Sequence, residues 1–367
     1  MAFPAEYTLL GNLEFPVVTG THTDFVALVQ YADFTTAMLA SIDDGGGDLR
    51  FSSDSAGTTQ LPCEVVGFDK VGGKAEIHVK APSVSTGAII YVWGDNTGDS
   101  QPAVTSPFGR NAVWSDYYSV FHGGSATDST GEHSFAATGT PTSEDGPFGS
   151  ASGFTSSNYY SASASSRLST GLAGDFTVQS WFLYPVFPST GGKIILGQSS
   201  STSGSWWQFG GQVVSSSEND ILNLGIDDGA VRKIANSAFD LDNDGTNNVW
   251  YSFVGTRNQG VDVRFYVDGA VSGSPVSNDT GDISSTKPLS IGSSVAFGTS
   301  EAFSAAEVRL RPDELSANWV ATEYENQSSS GPYFIATDAV ATGPNTPINP
   351  SITNLQATSA RLNWEQG

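Results

Sequence analysis

The sequence has few cysteines, few basic residues and no long apolar run. One cysteine, Cys63, occurs in 367 residues, so no disulfide can form within the chain and no metal-thiolate cluster or redox pair is possible. Cys63 lies in the apolar run 61–66, which is typical of a small buried hydrophobic residue rather than a nucleophile. Core packing therefore has to stabilise the fold.

Basic residues are scarce. Lys and Arg number 15 against 38 Asp and Glu, a formal net charge of −23. Such a charge repels nucleic acid and anionic membrane surfaces, and no run approaches the roughly 18 apolar residues of a membrane span. The sequence thus argues against nucleic-acid binding and membrane insertion. The acidity indicates either solubility in a salty or crowded setting or a cationic partner.

The residue types that are abundant in the sequence predict an all-β fold. The 41 glycines, with many Ser and Thr, favour short strands joined by tight turns. In residues 261–267, Val263 and Phe265 fall on one face and Arg264 and Tyr266 on the other, the alternation of a half-buried strand. Asp-Gly at 268–269 then supplies a hairpin turn. The length predicts two or three domains.

The second domain carries a family resemblance. The segments that carry it are residues 175–181, Trp250 and residues 265–269, 289–292 and 307–309. Together they resemble the laminin G-like, concanavalin A-type jelly roll over roughly residues 118–333. Members of that family bind glycans or proteins, so the resemblance implies a fold and leaves the ligand open.

Two flanking segments resemble other modules. Residues 48–51, 61–64, 75–81 and 91–96 resemble a domain of unknown function that often precedes laminin G-like domains in bacterial and phage surface proteins. Residues 344–364 resemble the linker and first strands of a fibronectin type III domain, and about 24 residues cannot complete that ~100-residue sandwich.

We therefore predict two jelly-roll-like β-sandwich domains in tandem, with a truncated third β module at the C-terminus. The predicted divisions are an N-terminal arm (1–23), the first sandwich (24–118), the jelly roll (119–336) and the linker with the start of the third module (337–367).

Enzyme chemistry is not indicated. A glycan hydrolase of this fold needs two carboxyls roughly 5–9.5 Å apart, and no Glu-x-Asp-x-Glu strand pattern occurs. Glu76, His78 and Lys80 share one strand face, which we interpret as a solvated, mixed-charge row. The four histidines show no ligand spacing, so histidine-based metal catalysis is not predicted.

One loop has the spacing of a calcium site. Asp240, Asp242 and Asp244 alternate before Gly245, and Thr246 and Asn248 follow at the seventh and ninth positions of a calcium loop. The twelfth position is Tyr251 instead of the bidentate Glu. The sequence leaves two interpretations, a Ca²⁺ site or an Asx-rich turn.

Two adjacent tryptophans are the candidate ligand-binding residues. Trp206 and Trp207 follow a Ser- and Gly-rich loop, and neighbouring strand residues point to opposite faces. At most one should enter the core, and the other could stack on a sugar ring or contact a protein. Packing against a loop or the neighbouring domain is the alternative.

Together these features predict a non-enzymatic structural and adhesion protein of a phage virion, on the tail or capsid surface. Its expected partners are a glycan or host receptor, other virion proteins and further copies of itself. The lack of a secretory signal in residues 1–7 suits a virion protein released by lysis. A piece of a secreted bacterial adhesin remains an alternative, as does a carbohydrate-active enzyme.

Overall fold

The computed structural model describes residues 3–155, 157–163, 165, 167–168, 172–184, 193–198, 205–212, 221–240, 248–277, 280–292, 302–340, 350–356 and 359–364. The strands pair antiparallel throughout these ranges, and the all-β prediction is confirmed. None of the described helices has the length and apolar character needed to cross a membrane.

The first part of the chain forms two small sheets. Its strands are β1 (Thr8–Glu14), β2 (His22–Gln30), β3 (Arg50–Ser52), β4 (Gln60–Leu61), β5 (Cys63–Asp69), β6 (Lys74–Val84) and β7 (Ile89–Gly94). A 3₁₀ turn (Tyr31–Asp33) and the helices α1 (Thr36–Ser41) and α2 (Arg110–Val113) complete it. The strands β2, β6 and β5 form a three-stranded sheet.

The second domain contains most of the remaining strands. They are β8 (Ser119–Phe121), β9 (Ala136–Thr138), β10 (Thr142–Asp145), β11 (Ser150–Phe154), β12 (Tyr159–Ala162), β13 (Phe176–Leu183), β14 (Lys193–Gln198), β15 (Trp206–Gln212), β16 (Ile221–Asp227), β17 (Arg232–Asp240), β18 (Trp250–Asn258), β19 (Asp262–Val267), β20 (Ala270–Val271), β21 (Val276–Ser277), β22 (Leu289–Ile291) and β23 (Phe303–Arg311). A helix, α3 (Ala317–Ser328), follows β23.

These strands make two facing sheets. One has nine strands in the order β10-β11-β23-β13-β18-β19-β20, with β21 paired to β19 and β8 to β23. The other has seven, in the order β17-β16-β15-β14-β22-β12-β9. Phe182, Val308 and Leu310 of the first and Trp207 and Leu224 of the second meet in one buried cluster. Aligned packing of this kind defines a β-sandwich.

The chain returns to the first domain at its C-terminal end. The strand β24 (Ile335–Asp338) pairs with β1, in a sheet of order β24-β1-β7-β3-β4. Residues 1–23, predicted as an arm, thus contain an inner strand. A shift in register between Leu9 and Gly11 interrupts the alternation of β1, which is why its sequence lacks a clear period. Beyond β24 lies a hairpin of β25 (Pro350–Gln356) and β26 (Ser359–Trp364).

The outer face of the nine-stranded sheet is covered. Val26 of β2 packs with Val113, Trp114, Tyr117 and Val120 in a separate buried cluster between the domains. Helix α3 fills the rest of the junction: Asn326 hydrogen-bonds both the N–H and the C=O of Leu28 in β2, at 2.8 and 2.9 Å. Its Gln327 accepts a bond from Trp181 Nε1 at 2.6 Å. The seven-stranded sheet is left on the side away from the first domain.

Candidate functional site

The two candidate tryptophans lie on opposite faces of β15. Trp207 is fully buried between the sheets, and its Nε1 donates to Gln198 at 3.0 Å. Trp206 lies on the outer face and is 4% exposed, with the Arg232 guanidinium 5.0 Å from its ring centroid. A Cβ at Gly225 would lie 3.2 Å from the Trp206 ring, so the ring packs flat against a backbone without a side chain.

A row of small and uncharged residues crosses the same outer face. The pairing aligns one residue from each of six adjacent strands, and the row runs Ser161, Ser290, Gly197, Gln208, Gly225 and Ile234. Directly opposed residues have Cβ atoms about 5 Å apart. The row places Gln208 between two glycines, with Trp206 two residues away on the same strand.

Three polar side-chain atoms of the described residues on this face have no hydrogen-bond partner. Among the described residues these are Gln208 Oε1, Asn223 Nδ2 and Ser290 Oγ. Gln208 is 7% exposed, and Asn223 and Ser290 are each 1% exposed. Because most buried polar atoms in proteins are hydrogen-bonded, each such exception needs an explanation.

Only part of the calcium-site prediction falls on described residues. Asp242, Asp244 and Thr246 lie outside them, and Asp240 is described only as the last residue of β17. Asn248 is exposed, with φ of 61°, and its N–H donates to the Tyr184 carbonyl at 2.7 Å. The calcium site therefore stays a prediction.

A buried cluster of charged groups lies where the domains meet. Glu76 and His78 come from β6, His122 follows β8, and Glu307 lies on β23. His78 Nε2 is 3.3 Å from Glu76 Oε1 and 3.8 Å from Glu307 Oε2. His122 Nδ1 is 3.3 Å from Glu76 Oε1 and also bonds Glu307 Oε1. The two imidazole rings are nearly parallel, with centroids 4.7 Å apart.

Other side chains fix these four residues. Glu64 of β5 is 3.1 Å from His122 Nε2 and accepts bonds from Ser129 Oγ (2.8 Å) and Trp114 Nε1. Arg309 bonds Glu307 through Nε at 2.9 Å and Glu323 through a terminal nitrogen at 2.7 Å. The guanidinium also stacks on Trp114, 4.8 Å from the ring centroid.

Burial and charge act in opposite directions on the pKa values of this cluster. Burial raises the pKa of Glu76, and the neighbouring Glu307 raises it further. Burial alone would lower the pKa of His122, but the carboxylates of Glu307 and Glu64 raise it well above its usual value. Burial would raise the pKa of Glu307, yet His122 and Arg309 together lower it. The pKa of His78 is lowered, chiefly by burial.

A cleft between the domains reaches this cluster. Two cavities of about 190 and 200 Å³ share Phe148, in the loop between β10 and β11, as a lining residue. Glu76 lines the smaller one. A Cβ at Gly149 would collide with the Glu76 carboxylate, so the glycine lets the loop lie directly over the cluster.

The interpretation of Glu76 and His78 as a solvated row was wrong. They are 3% and 0% exposed, because the face of β6 that carries them packs against the second domain. Glu76, His78 and His122 come together although no sequence spacing links His122 to the other two. One feature of the sequence could have indicated this burial. In β6, Glu76 and His78 alternate with the core residues Ile77 and Val79, and both faces of the strand are buried.

Comparison with known proteins agrees with the fold. Residues 154–321 match the family model described as the Concanavalin A-like lectin/glucanases superfamily, and they form a domain of this kind. The resemblances of the flanking segments stay predictions. A search of curated proteins finds no match for the chain.

Several solved structures are similar to the chain. One is a receptor binding domain, with 13% identity and a TM-score of 0.48, matched over 60% of this chain and 53% of that one. Another is the binding domain of botulinum neurotoxin serotype D/C, with 14% identity and a TM-score of 0.46, over 58% and 52%. A third is the binding domain of Paraclostridial Mosquitocidal Protein 1, with 12% identity and a TM-score of 0.46, over 57% and 52%. The match spans about half the length of each structure, and at these identities the likeness concerns the fold alone.

Proposed function

We propose that this protein is a non-enzymatic attachment protein that binds a glycan on the outer face of its seven-stranded sheet, and that it is a surface component of a phage virion. The proposal is supported by the match of residues 154–321 to the Concanavalin A-like lectin/glucanases superfamily. The unpartnered atoms Gln208 Oε1, Asn223 Nδ2 and Ser290 Oγ, buried on neighbouring strands of that face, favour it as the site.

These atoms suit a sugar because they are uncharged and include an acceptor, a donor and a hydroxyl. A sugar hydroxyl both donates and accepts hydrogen bonds, so a glycan could satisfy all three once the side chains that bury them move aside, since Gln208 is 7% exposed and Asn223 and Ser290 are each 1% exposed. A buried amide or hydroxyl without a partner costs about 1–3 kcal/mol, and a ligand that supplies the partner recovers this free energy. Trp206 lies at the same place, but its ring is 4% exposed and stacked by Arg232, so it would contact a sugar only after Arg232 moves.

The carboxylates support binding over hydrolysis. On this face Asp227 is the one strand carboxylate whose side chain the structure describes, whereas a glycosidase needs two. Glu76 and Glu307 are close enough to form a pair, but both are buried at the domain junction and held by His122 and Arg309. A polysaccharide could not reach them without separating the domains.

The phage origin rests on the sequence alone, through the order of the modules. In a virion the protein would also contact other structural proteins or further copies of itself. A secreted bacterial adhesin would use the same sheet face, so the proposed binding does not depend on the source.

The experiment compares two buried serines. Ser290→Ala removes an unpartnered hydroxyl. Ser52→Ala removes a hydroxyl that accepts from Trp93 Nε1 at 2.8 Å and donates to the Asp54 carbonyl at 2.7 Å. On a glycan array followed by calorimetry, we expect Ser290→Ala to weaken binding about 3- to 10-fold without loss of stability, and Ser52→Ala to lose stability without loss of affinity. Equal affinity of Ser290→Ala and wild type for every glycan that binds would reject this face as the site.

A further inference from the structure

We propose that Glu76, His78, His122 and Glu307 form a zinc site that holds the two domains together. One nitrogen or carboxylate oxygen from each residue lies within 4.8 Å of the others. The first domain supplies two of these groups and the second domain supplies the other two. An ion bound to all four would therefore cross-link β6 to β8 and β23.

The spacing of the donor atoms is close to that of a tetrahedral site. With metal–ligand distances of about 2.0–2.1 Å, the ligands of zinc lie about 3.3–3.5 Å from each other. Glu76 Oε1 is 3.3 Å from both His78 Nε2 and His122 Nδ1, and a carboxylate oxygen of Glu307 lies within 4.8 Å of the other donors. Small side-chain movements are enough to bring the four atoms around one centre.

The surrounding residues are those that a metal site needs. A histidine ligand usually bonds a carboxylate through its second nitrogen, and His122 Nε2 is 3.1 Å from Glu64. Arg309 holds Glu307 Oε2, and Oε1 bonds His122 Nδ1, so a bound ion would replace this His122–Glu307 hydrogen bond. His78 Nδ1 has no partner among the described residues, so no hydrogen bond at that nitrogen prevents the ring from turning its Nε2 toward an ion.

Charge favours a dication at this position. Of the described side chains that touch one another here, Glu64, Glu76, Glu307 and Glu323 are acidic, against one arginine, Arg309, and the two histidines. Buried charge without compensation is costly. Two imidazoles with two carboxylates suit zinc. Four protein ligands leave no open position, which is typical of a structural rather than a catalytic zinc site.

The ion has a route to the site. Glu76 lines the cavity of about 190 Å³ beside Phe148, and the loop that covers it passes over Glu76 at Gly149, without a side chain. A metal could enter from this cleft after the domains have folded.

The test uses zinc itself on the full chain. Purified protein is stripped with chelator and titrated with ZnCl₂, and both bound metal and melting temperature are measured. We expect one zinc per chain and a higher melting temperature with zinc than with chelator. Glu76→Gln keeps the side-chain volume and should weaken zinc binding at least tenfold. The control is His22→Gln, which changes a buried histidine that bonds Thr322 at 3.0 Å, and it should bind zinc like the wild type.

The alternatives give different results. If stripped wild type binds no zinc and its melting temperature does not respond, the cluster is a hydrogen-bonded network and the proposal is wrong. If Glu76→Gln and wild type bind zinc equally, the ion sits elsewhere and the proposal is also wrong. Circular dichroism of each variant separates loss of binding from loss of fold. X-ray absorption of the zinc-loaded wild type should show two imidazole ligands, and a spectrum without them would contradict the site.

Discussion

His122 Nε2 lies 3.1 Å from Glu64 Oε2, and this contact joins the second domain to β5 of the first. It is one of several buried polar contacts across the junction, which also carries apolar packing around Trp114. The two domains are further connected by β24, which returns to pair with β1. The sequence predicted two sandwiches in tandem, and these shared elements favour their unfolding as one cooperative unit.

Substitution of Phe334 measures how much the packing of the C-terminal segment stabilises the first domain. It is 3% exposed and packs edge-on against Phe15 at 4.9 Å. Phe334→Ala should lower the free energy of unfolding by about 3–5 kcal/mol, measured by denaturant titration, with a single transition before and after. Val340→Ala, at an 80% exposed position, should change it by no more than about 0.5 kcal/mol. Two separate transitions in the wild type would contradict the shared core.

Substitution of Arg309 measures how much its buried ion pairs stabilise the junction between the domains. Arg309→Met leaves Glu307 and Glu323 buried without their cation, and removing one partner of a buried pair typically costs about 3–5 kcal/mol. The matched control is Lys74→Met, which breaks the exposed pair with Asp145 and should cost at most about 1 kcal/mol. Chemical denaturation measures both. Equal effects would show that the junction is open to water.

Asp33 should make stability depend on pH. Its carboxylate accepts backbone bonds from Gln30 (2.8 Å), Tyr333 (2.6 Å) and Phe334 (3.1 Å), yet burial raises its pKa to about 6. A raised pKa means that the folded state binds the proton more tightly. The contribution of Asp33 is therefore greatest below pH 4 and is lost as the pH rises through 6, by at most about 3 kcal/mol.

The measurement is the free energy of unfolding between pH 4 and 7 for wild type and Asp33→Asn. The variant loses an acceptor for one N–H, so at pH 4 it should be less stable than the wild type by about 1–3 kcal/mol. The difference between the two proteins should shrink as the pH rises. A difference that grows with pH would mean that the three N–H groups outweigh burial.

The sequence predicted the strands of the second domain better than their surroundings. Val263 and Phe265 face the core as the alternation indicates. Tyr266, on the predicted polar face, is instead buried with residues of the first domain. Alternation reports which residues share a face, and it cannot report that a second domain covers the polar one. For the same reason, the burial of Glu76 and His78 could not be predicted from the sequence.

Hydrolysis should be absent. Because the Glu76 and Glu307 carboxyls are closed off by the domain junction, we expect no new reducing ends when the protein is incubated with a panel of polysaccharides. Release of sugar that persists through purification and disappears in Glu307→Gln would establish an enzyme instead. A thermal melt of that variant is the control for its fold.

The central claim is that a glycan binds across the outer face of the seven-stranded sheet. The most direct measurement is NMR of the side-chain NH₂ groups of Gln208 and Asn223 during titration with the best glycan from the array, with the NH₂ group of Gln101 in the first domain as the internal control. We predict that the Gln208 and Asn223 resonances shift in a saturable way and that Gln101 does not move. Saturable shifts confined to the first domain, with Gln208 and Asn223 unchanged, would contradict the account.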